Sequence, residues 1–169
     1  MANENSTTLG DIGELISLEE INSWGKGLAV LSSNKYDSVK DILWYNIDYL
    51  SIWNVEVKTQ PPFVTKNMLS IRKNQETKIM NSNLLMWITT PMEDYPRFKY
   101  GGCIFLTPKP KKLIVKEEYN KYFLNRQGVK ESTRMIGYDI DQPAILFHKR
   151  IENPEYLELL IKYRSFNYD

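Results

Sequence analysis

Glu56, Val57 and Lys58 close the apolar run Leu50-Ser51-Ile52-Trp53-Asn54-Val55, a setting that reads as the end of a β-strand. Side chains alternate across a strand, so Trp53, Val55 and Val57 are expected to be buried while Asn54, Glu56 and Lys58 share the opposite face. That pattern sets a carboxylate beside an ammonium. A further carboxylate, Asp37, follows the turn-like stretch Ser32-Ser33-Asn34-Lys35-Tyr36, nineteen residues before Glu56. Asp41 falls on the same alternating face as Asp37 and is a competing or supplementary ligand. A pair of carboxylates suits Mg²⁺, a hard cation that takes oxygen ligands and keeps waters for a phosphate to displace. A lysine on the same face adds charge where an anionic phosphodiester is attacked, and the sequence leaves open whether Lys58 acts as a base or as an electrostatic clamp.

Elements that could position these groups are legible along the chain. Thr7 or Thr8 can cap a first helix whose apolar positions Leu9, Ile12, Leu15, Ile16, Ile21 and Trp24 approximate a helical stripe, ended by Gly25 and Gly27. Gly10 and Gly13 lower its propensity but allow one face, beside Glu14, to approach a sheet closely. A short strand is expected at 28–31, a second through Val39, Ile42 and Trp44, and a third over 49–59, the last two as an antiparallel hairpin ended by Pro61-Pro62. The polar segment 65–80 reads as a surface helix, 84–89 and 102–106 as strands, 113–126 as helical from Lys116, and 145–147 as a last short strand. Asn153 caps a closing helix with Pro154 in its first position.

The order of helix with Glu14, strand, Asp37, strand, Glu56-Val57-Lys58, helix and strand resembles the PD-(D/E)XK nuclease superfamily. The likeness is carried by Gly10-Asp11-Ile12-Gly13-Glu14, Tyr36-Asp37 and Val55-Glu56-Val57-Lys58-Thr59, and it covers about residues 8 to 107. It is similar to the branch of Holliday-junction resolvases and small restriction-type endonucleases. Tyr36 stands where that family more often has proline. The resemblance implies an α/β fold: a restriction-endonuclease-like α-β-β-β-α-β core with a mixed sheet flanked by helices, plus a C-terminal α-helical extension over about 108–169, all in a single domain 1–169. It also implies hydrolysis of DNA with Mg²⁺ or Mn²⁺, with Asp37, Glu56 and Glu14 at the metal, Lys58 at the attacking water, and a possible homodimer.

Composition sets the bounds. With 169 residues, 42% hydrophobic, the chain is long enough for one full core. A net charge of +1 means that any nucleic-acid binding must come from local patches. Those patches are Lys66, Arg72, Lys73 and Lys78 after the Glu56 strand, and Lys109, Lys111, Lys112 and Lys116 after the last core strand. The single cysteine, Cys103, reads as a core residue, which fits a reducing, intracellular compartment. No apolar run nears the roughly 20 residues of a membrane span, and Met1-Ala2-Asn3-Glu4-Asn5 lacks the marks of an export signal, so neither membrane insertion nor export is expected.

Other candidates are weaker. Glu76-Thr77-Lys78 repeats the acid-x-lysine spacing but falls in a helix-like stretch, where residues two apart face different ways, and reads as solvated surface. Gln60 is a speculative substrate contact. His148, the only histidine, reads as an ordinary surface residue, and Trp44, Trp53 and Trp87 as core. Two rival readings are a catalytically inactive PD-(D/E)XK-like binding or assembly module and an unrelated α+β interaction protein.

Overall fold

The computed structural model describes residues 8–32, 41–62, 66–91 and 100–164. Thr8 starts helix α1 (Leu9–Ser23) through a reciprocal cap: its Oγ1 accepts from the Asp11 N–H at 3.2 Å, and the Asp11 carboxylate accepts from the Thr8 N–H at 3.0 Å. The buried stripe Leu9, Ile12, Gly13, Ile16 and Ile21 then faces a sheet. Strands β1 (Ala29–Leu31), β2 (Ile42–Asn46) and β3 (Ser51–Gln60) form an antiparallel meander, with Trp44 opposite Trp53 and their rings edge to face at 5.4 Å.

Pro61 and Pro62 end β3, since neither can donate to a ladder. The chain then crosses over and returns as β5 (Leu84–Thr89), parallel to β3 with Glu56 opposite Leu85 and Lys58 opposite Trp87. Strands β6 (Cys103–Thr107) and β9 (Leu146–Arg150) add antiparallel neighbours, giving a six-stranded mixed sheet in the order β1-β2-β3-β5-β6-β9. All six residues of β5 are buried, as a strand covered on both faces requires.

The two faces have separate cores. Val55, Val57, Leu84, Met86 and Ile88 pack with α1 and with the closing helix α3 (Pro154–Arg164). Leu85, Trp87 and Phe105 pack on the other side with Leu69, Ile71, Ile79, Ile136 and Tyr138. The second cover includes a three-stranded antiparallel sheet, β4 (Met68–Arg72), β8 (Lys130–Asp139) and β7 (Val115–Leu124), in the order β4-β8-β7.

This second sheet corrects three expectations. The segment 65–80 is not a surface helix: it holds β4, a 3-10 turn Lys73–Gln75 and only the short helix α2 (Glu76–Met80). Four of the five β4 residues are buried, so its apolar side chains serve a sheet rather than a helical stripe. The segment 113–126 is strand β7, not helix, and the extension after 107 is therefore not α-helical but mostly β, closed by α3. Glutamate and lysine favour helix in isolation, but in β7 alternate positions 117, 119, 121 and 123 are half-buried while their neighbours are exposed. The other bounds among the described residues shift by a few residues, Val39 of the expected second strand lies outside them, and Asn153 caps α3 as expected, its Oδ1 accepting from the Glu155 N–H at 3.0 Å.

His148 is not a free surface side chain. Its Nε2 lies 2.7 Å from Glu20 Oε2, which also accepts from Trp24 Nε1 at 2.8 Å, while Lys149 Nζ stands 2.6 Å from Oε1. Burial pushes the Glu20 carboxyl up, but Lys149, His148 and Trp24 together outweigh it and hold it below its ordinary value. Trp53 is half-buried, whereas Trp44 and Trp87 lie in the core. Among the described residues no helix is long and apolar enough to cross a membrane.

Candidate active site

Because Val55 and Val57 face α1, alternation sends Glu56, Lys58 and Gln60 to the other face of β3, toward the crossover. Glu56 is fully buried there, its side chain only 1% exposed, although a carboxylate so placed needs partners. Neither of its oxygens has an aligned hydrogen-bond donor. Lys78 Nζ is the nearest cation, 3.3 Å from Oε2, an ion pair without hydrogen-bond alignment. Burial, and next the Asp41 carboxylate, push the Glu56 carboxyl up to about 8 against the pull of Lys78.

Asp41 sits at the entry to β2 and is tied to β3, its Oδ2 accepting from the Val57 N–H at 2.9 Å. The β2–β3 register, Ile42 opposite Val55, brings Asp41 level with Glu56. Two carboxylates thus meet at one sheet position. Asp37, the carboxylate first expected in this role, lies outside the described residues. The signal for Asp41 was available in the sequence: it immediately precedes the apolar strand Ile42-Leu43-Trp44, whereas Asp37 is four residues farther off.

Glu14 reaches the neighbourhood from the other face. Helix α1 crosses β3 at Gly13, where a Cβ would stand 1.7 Å from Thr59 Oγ1, so only glycine permits this approach. Glu14 is the next residue and is half-buried. Among the described residues, no three acidic, histidine or cysteine side chains group closely enough to hold a metal ion, so Glu14 does not complete a triad with Asp41 and Glu56.

Lys58 lies where the sequence places it and Lys78 does not. Lys58 shares the Glu56 face and donates to Gln75 Oε1 at the end of the 3-10 turn. Lys78 belongs to Glu76-Thr77-Lys78, which the sequence presents as solvated surface, yet α2 aims this lysine at buried Glu56. The triplet is a partner of the first because the crossover folds back over β3, a relation no local spacing reveals. Gln60 has a structural job: its amide accepts from the Ser70 N–H and donates to the Ser70 carbonyl, both at 2.8 Å, clamping the outer edge of β4 to β3.

The basic patches divide. Lys66 pairs with Glu117 at 2.6 Å and Lys73 with Glu118 at 2.5 Å, so β7 neutralises part of the first patch. Arg72 is half-buried and lines a cavity beside Lys58. Lys109, Lys111 and Lys112 are exposed around the 3-10 turn Pro110–Lys112, and among the described residues they make no ion pair.

As it stands, the arrangement can bind a hard cation through adjacent carboxylates and present ammonium groups beside it. Mg²⁺ is commonly held by one or two carboxylates plus water and substrate phosphate, and a buried carboxylate without an aligned donor beside a second carboxylate fits that need. Compared with known proteins, the chain matches no family model, no curated protein and no solved structure.

Proposed function

We propose that the chain is a nuclease of the PD-(D/E)XK type that hydrolyses DNA phosphodiesters with Mg²⁺ or Mn²⁺, acting as an endonuclease. The observation that carries this reading is the buried, donor-poor Glu56 beside Asp41, at the joint where an antiparallel meander passes through a crossover into a parallel strand. The element order α1-β1-β2-β3-crossover-β5 agrees with the α-β-β-β-α-β order of that family, with β4 and the short α2 standing in the crossover. Asp41 and Glu56 would hold the metal. When bound, such a cation neutralises phosphate charge and acidifies a water. Lys58, on the Glu56 face, supplies positive charge to the reacting phosphate, and its link to Gln75 fixes where that charge lies.

Lys78 favours one competing reading. An ammonium already leans on Glu56, as it would in a relative that keeps the fold and has lost the metal. Cleavage of linear, branched and single-stranded DNA, with and without Mg²⁺, separates the two. Asp41→Asn and Lys58→Ala should each lower cleavage at least about a hundredfold with the melting temperature little changed. Wild-type rates in both variants would sink the catalytic assignment, and no metal binding by the wild-type protein would favour the inactive relative.

A further inference from the structure

We propose that the outer half of the β7–β8 hairpin is a ribbon that enters the major groove of duplex DNA; this deepens the nuclease reading above and rests on it for the choice of partner. Pairing with β4 stops at Arg72 opposite Met135. Beyond that point, among the described residues, β7 and β8 pair only with each other, from Asn120 opposite Arg134 to Leu124 opposite Lys130. Five residues at about 3.4 Å each carry the ribbon about 17 Å past its sheet. None of residues 120–134 is buried, whereas Met135 and Ile136 at the root are.

A bare two-stranded ribbon is marginally stable in water, so this one needs reinforcement of its own. The turn supplies it. The Asn125 N–H donates to the Val129 carbonyl, and the Asn125 side-chain oxygen accepts from the N–H groups of Gln127 and Val129, all at 2.9 Å. Gly128 takes the left-handed backbone there, at φ 75°. The tip is thus held in one shape with no core beneath it, and Tyr122, Leu124 and Val129 stay exposed along it.

Residues 120–134 contain four basic side chains, Lys121, Arg126, Lys130 and Arg134, and one acid, Glu131, in a chain whose net charge is only +1. Alternation sorts them. Ile136 marks the face of β8 that packs on the main sheet, and that face continues outward through Arg134, Ser132 and Lys130, with Asn120, Tyr122 and Leu124 opposite them on β7. All six are exposed and none is acidic; Lys121 and Glu131 belong to the reverse face. Arg134 donates to Asn120 Oδ1 at 3.3 Å, and Lys130 Nζ stands 4.9 Å from the centre of the Tyr122 ring. Glu118, at the root, is 3.9 Å from Arg134 and is already engaged by Lys73. Arg126 and Lys130 make no ion pair among the described residues.

Duplex DNA matches this face in shape and in chemistry. Its major groove, about 12 Å wide and about 8.5 Å deep, admits a two-stranded ribbon. Arginine and lysine there reach guanine, asparagine reaches adenine and apolar side chains meet the thymine methyl, the residue types that this face presents. The same face leads toward the proposed active site: Glu118 pairs with Lys73, which opens the 3-10 turn whose Gln75 accepts from Lys58. A duplex held on the ribbon therefore neighbours the proposed centre of cleavage.

The test is anisotropy in chelator, where nothing is cut, with a labelled duplex of about 20 base pairs, two helical turns, and with one of its single strands. The triple variant Arg126→Gln, Lys130→Gln, Arg134→Gln should weaken duplex binding about tenfold or more, and Leu124→Glu should do the same by setting an acid among the phosphates. All four positions are exposed, and thermal melts report whether both variants fold. Dimethyl sulfate methylates guanine N7 in the major groove and adenine N3 in the minor groove. The wild type should protect guanine N7 and the triple variant should not. A wild type that binds no duplex, unchanged duplex affinity in both folded variants, equal losses on the single strand, or protection of adenine N3 alone each overturns the ribbon. Loss of a dimer in the triple variant with duplex affinity kept also overturns it, in favour of a second copy paired along β7. The two readings fail separately. Ribbon-dependent duplex binding without Mg²⁺-dependent cleavage sinks the nuclease and supports the ribbon, whereas duplex cleavage with full duplex affinity in both variants sinks the ribbon alone.

Discussion

Glu56→Gln should stabilise the metal-free protein while abolishing the proposed cleavage. The carboxyl is buried and titrates near 8 rather than at its ordinary 4.5, with burial the largest cause and Asp41 next. A raised carboxyl pKa means the folded state keeps a proton that the unfolded chain releases, so stability falls as pH rises from about 4.5 to about 8 and then levels. Each unit of difference corresponds to about 1.4 kcal/mol, so three units reached by pH 7.5 set a ceiling of about 4 kcal/mol; relaxation and water entry bring the expected penalty to about 2–4 kcal/mol. Glutamine keeps the shape and is neutral, so the variant should lack this loss. For a chain of this length about 1 kcal/mol moves the melting temperature by roughly 2–4 °C, giving a rise of roughly 4–16 °C at pH 7.5 that shrinks toward nothing near pH 4.5. The assay is thermal unfolding in chelator at several pH values, repeated with Mg²⁺. Mg²⁺ should stabilise the wild type, by mass action on the folded state, and leave Glu56→Gln unmoved. A variant that melts below the wild type throughout the pH range would refute the reasoning and make Glu56 a stabilising ion-pair partner of Lys78.

Gly13→Ala should cost about 1–3 kcal/mol or more, because the new methyl would meet Thr59 Oγ1 at 1.7 Å and Thr59 Cβ at 2.8 Å; Thr59→Ala in the same chain should restore only part of it, since its Cβ still stands too close, and an unchanged melting temperature in the single variant would mean α1 does not cross β3 at Gly13. Replacing Lys109, Lys111 and Lys112 by Gln should make the slope of log affinity against log salt shallower by about 2–3 units on duplex DNA. Lys66→Gln and Lys73→Gln should change that slope by less per residue, since Glu117 and Glu118 already engage them; the reverse order in a salt series would move the phosphate track to the first patch.

The meander was legible because its residues obey one rule at a time. Ile42, Trp44, Val55 and Val57 alternate, turn residues separate the strands and prolines stop the last. The α1 cap and the α3 cap were legible for the same reason, as each depends on residues three or fewer apart. The crossover was not. Met68, Leu69 and Ile71 could serve a helix or a strand, and only pairing with β8, more than sixty residues on, decides for the strand. In β7 the half-buried positions include Tyr119 and Lys121, amphipathic side chains whose alternation is blurred by charge on both faces.

The same distinction separates the parts of the candidate site. Glu56 and Lys58 lie on one strand, so alternation alone puts them on one face. Their partners come from elsewhere: Asp41 through the β2–β3 register, Lys78 and Gln75 through the folded crossover. Reading Glu76-Thr77-Lys78 as surface was sound for an isolated helix, where a lysine faces water because nothing else is near. It failed because α2 is one turn long and is held over β3 by buried Ile79, so its lysine points wherever that anchor directs it. A charged residue on a short helix takes its environment from the sheet beneath, and here the sheet presents a buried carboxylate. Lys78 therefore stands where an arriving dication must displace it or share Glu56 with it.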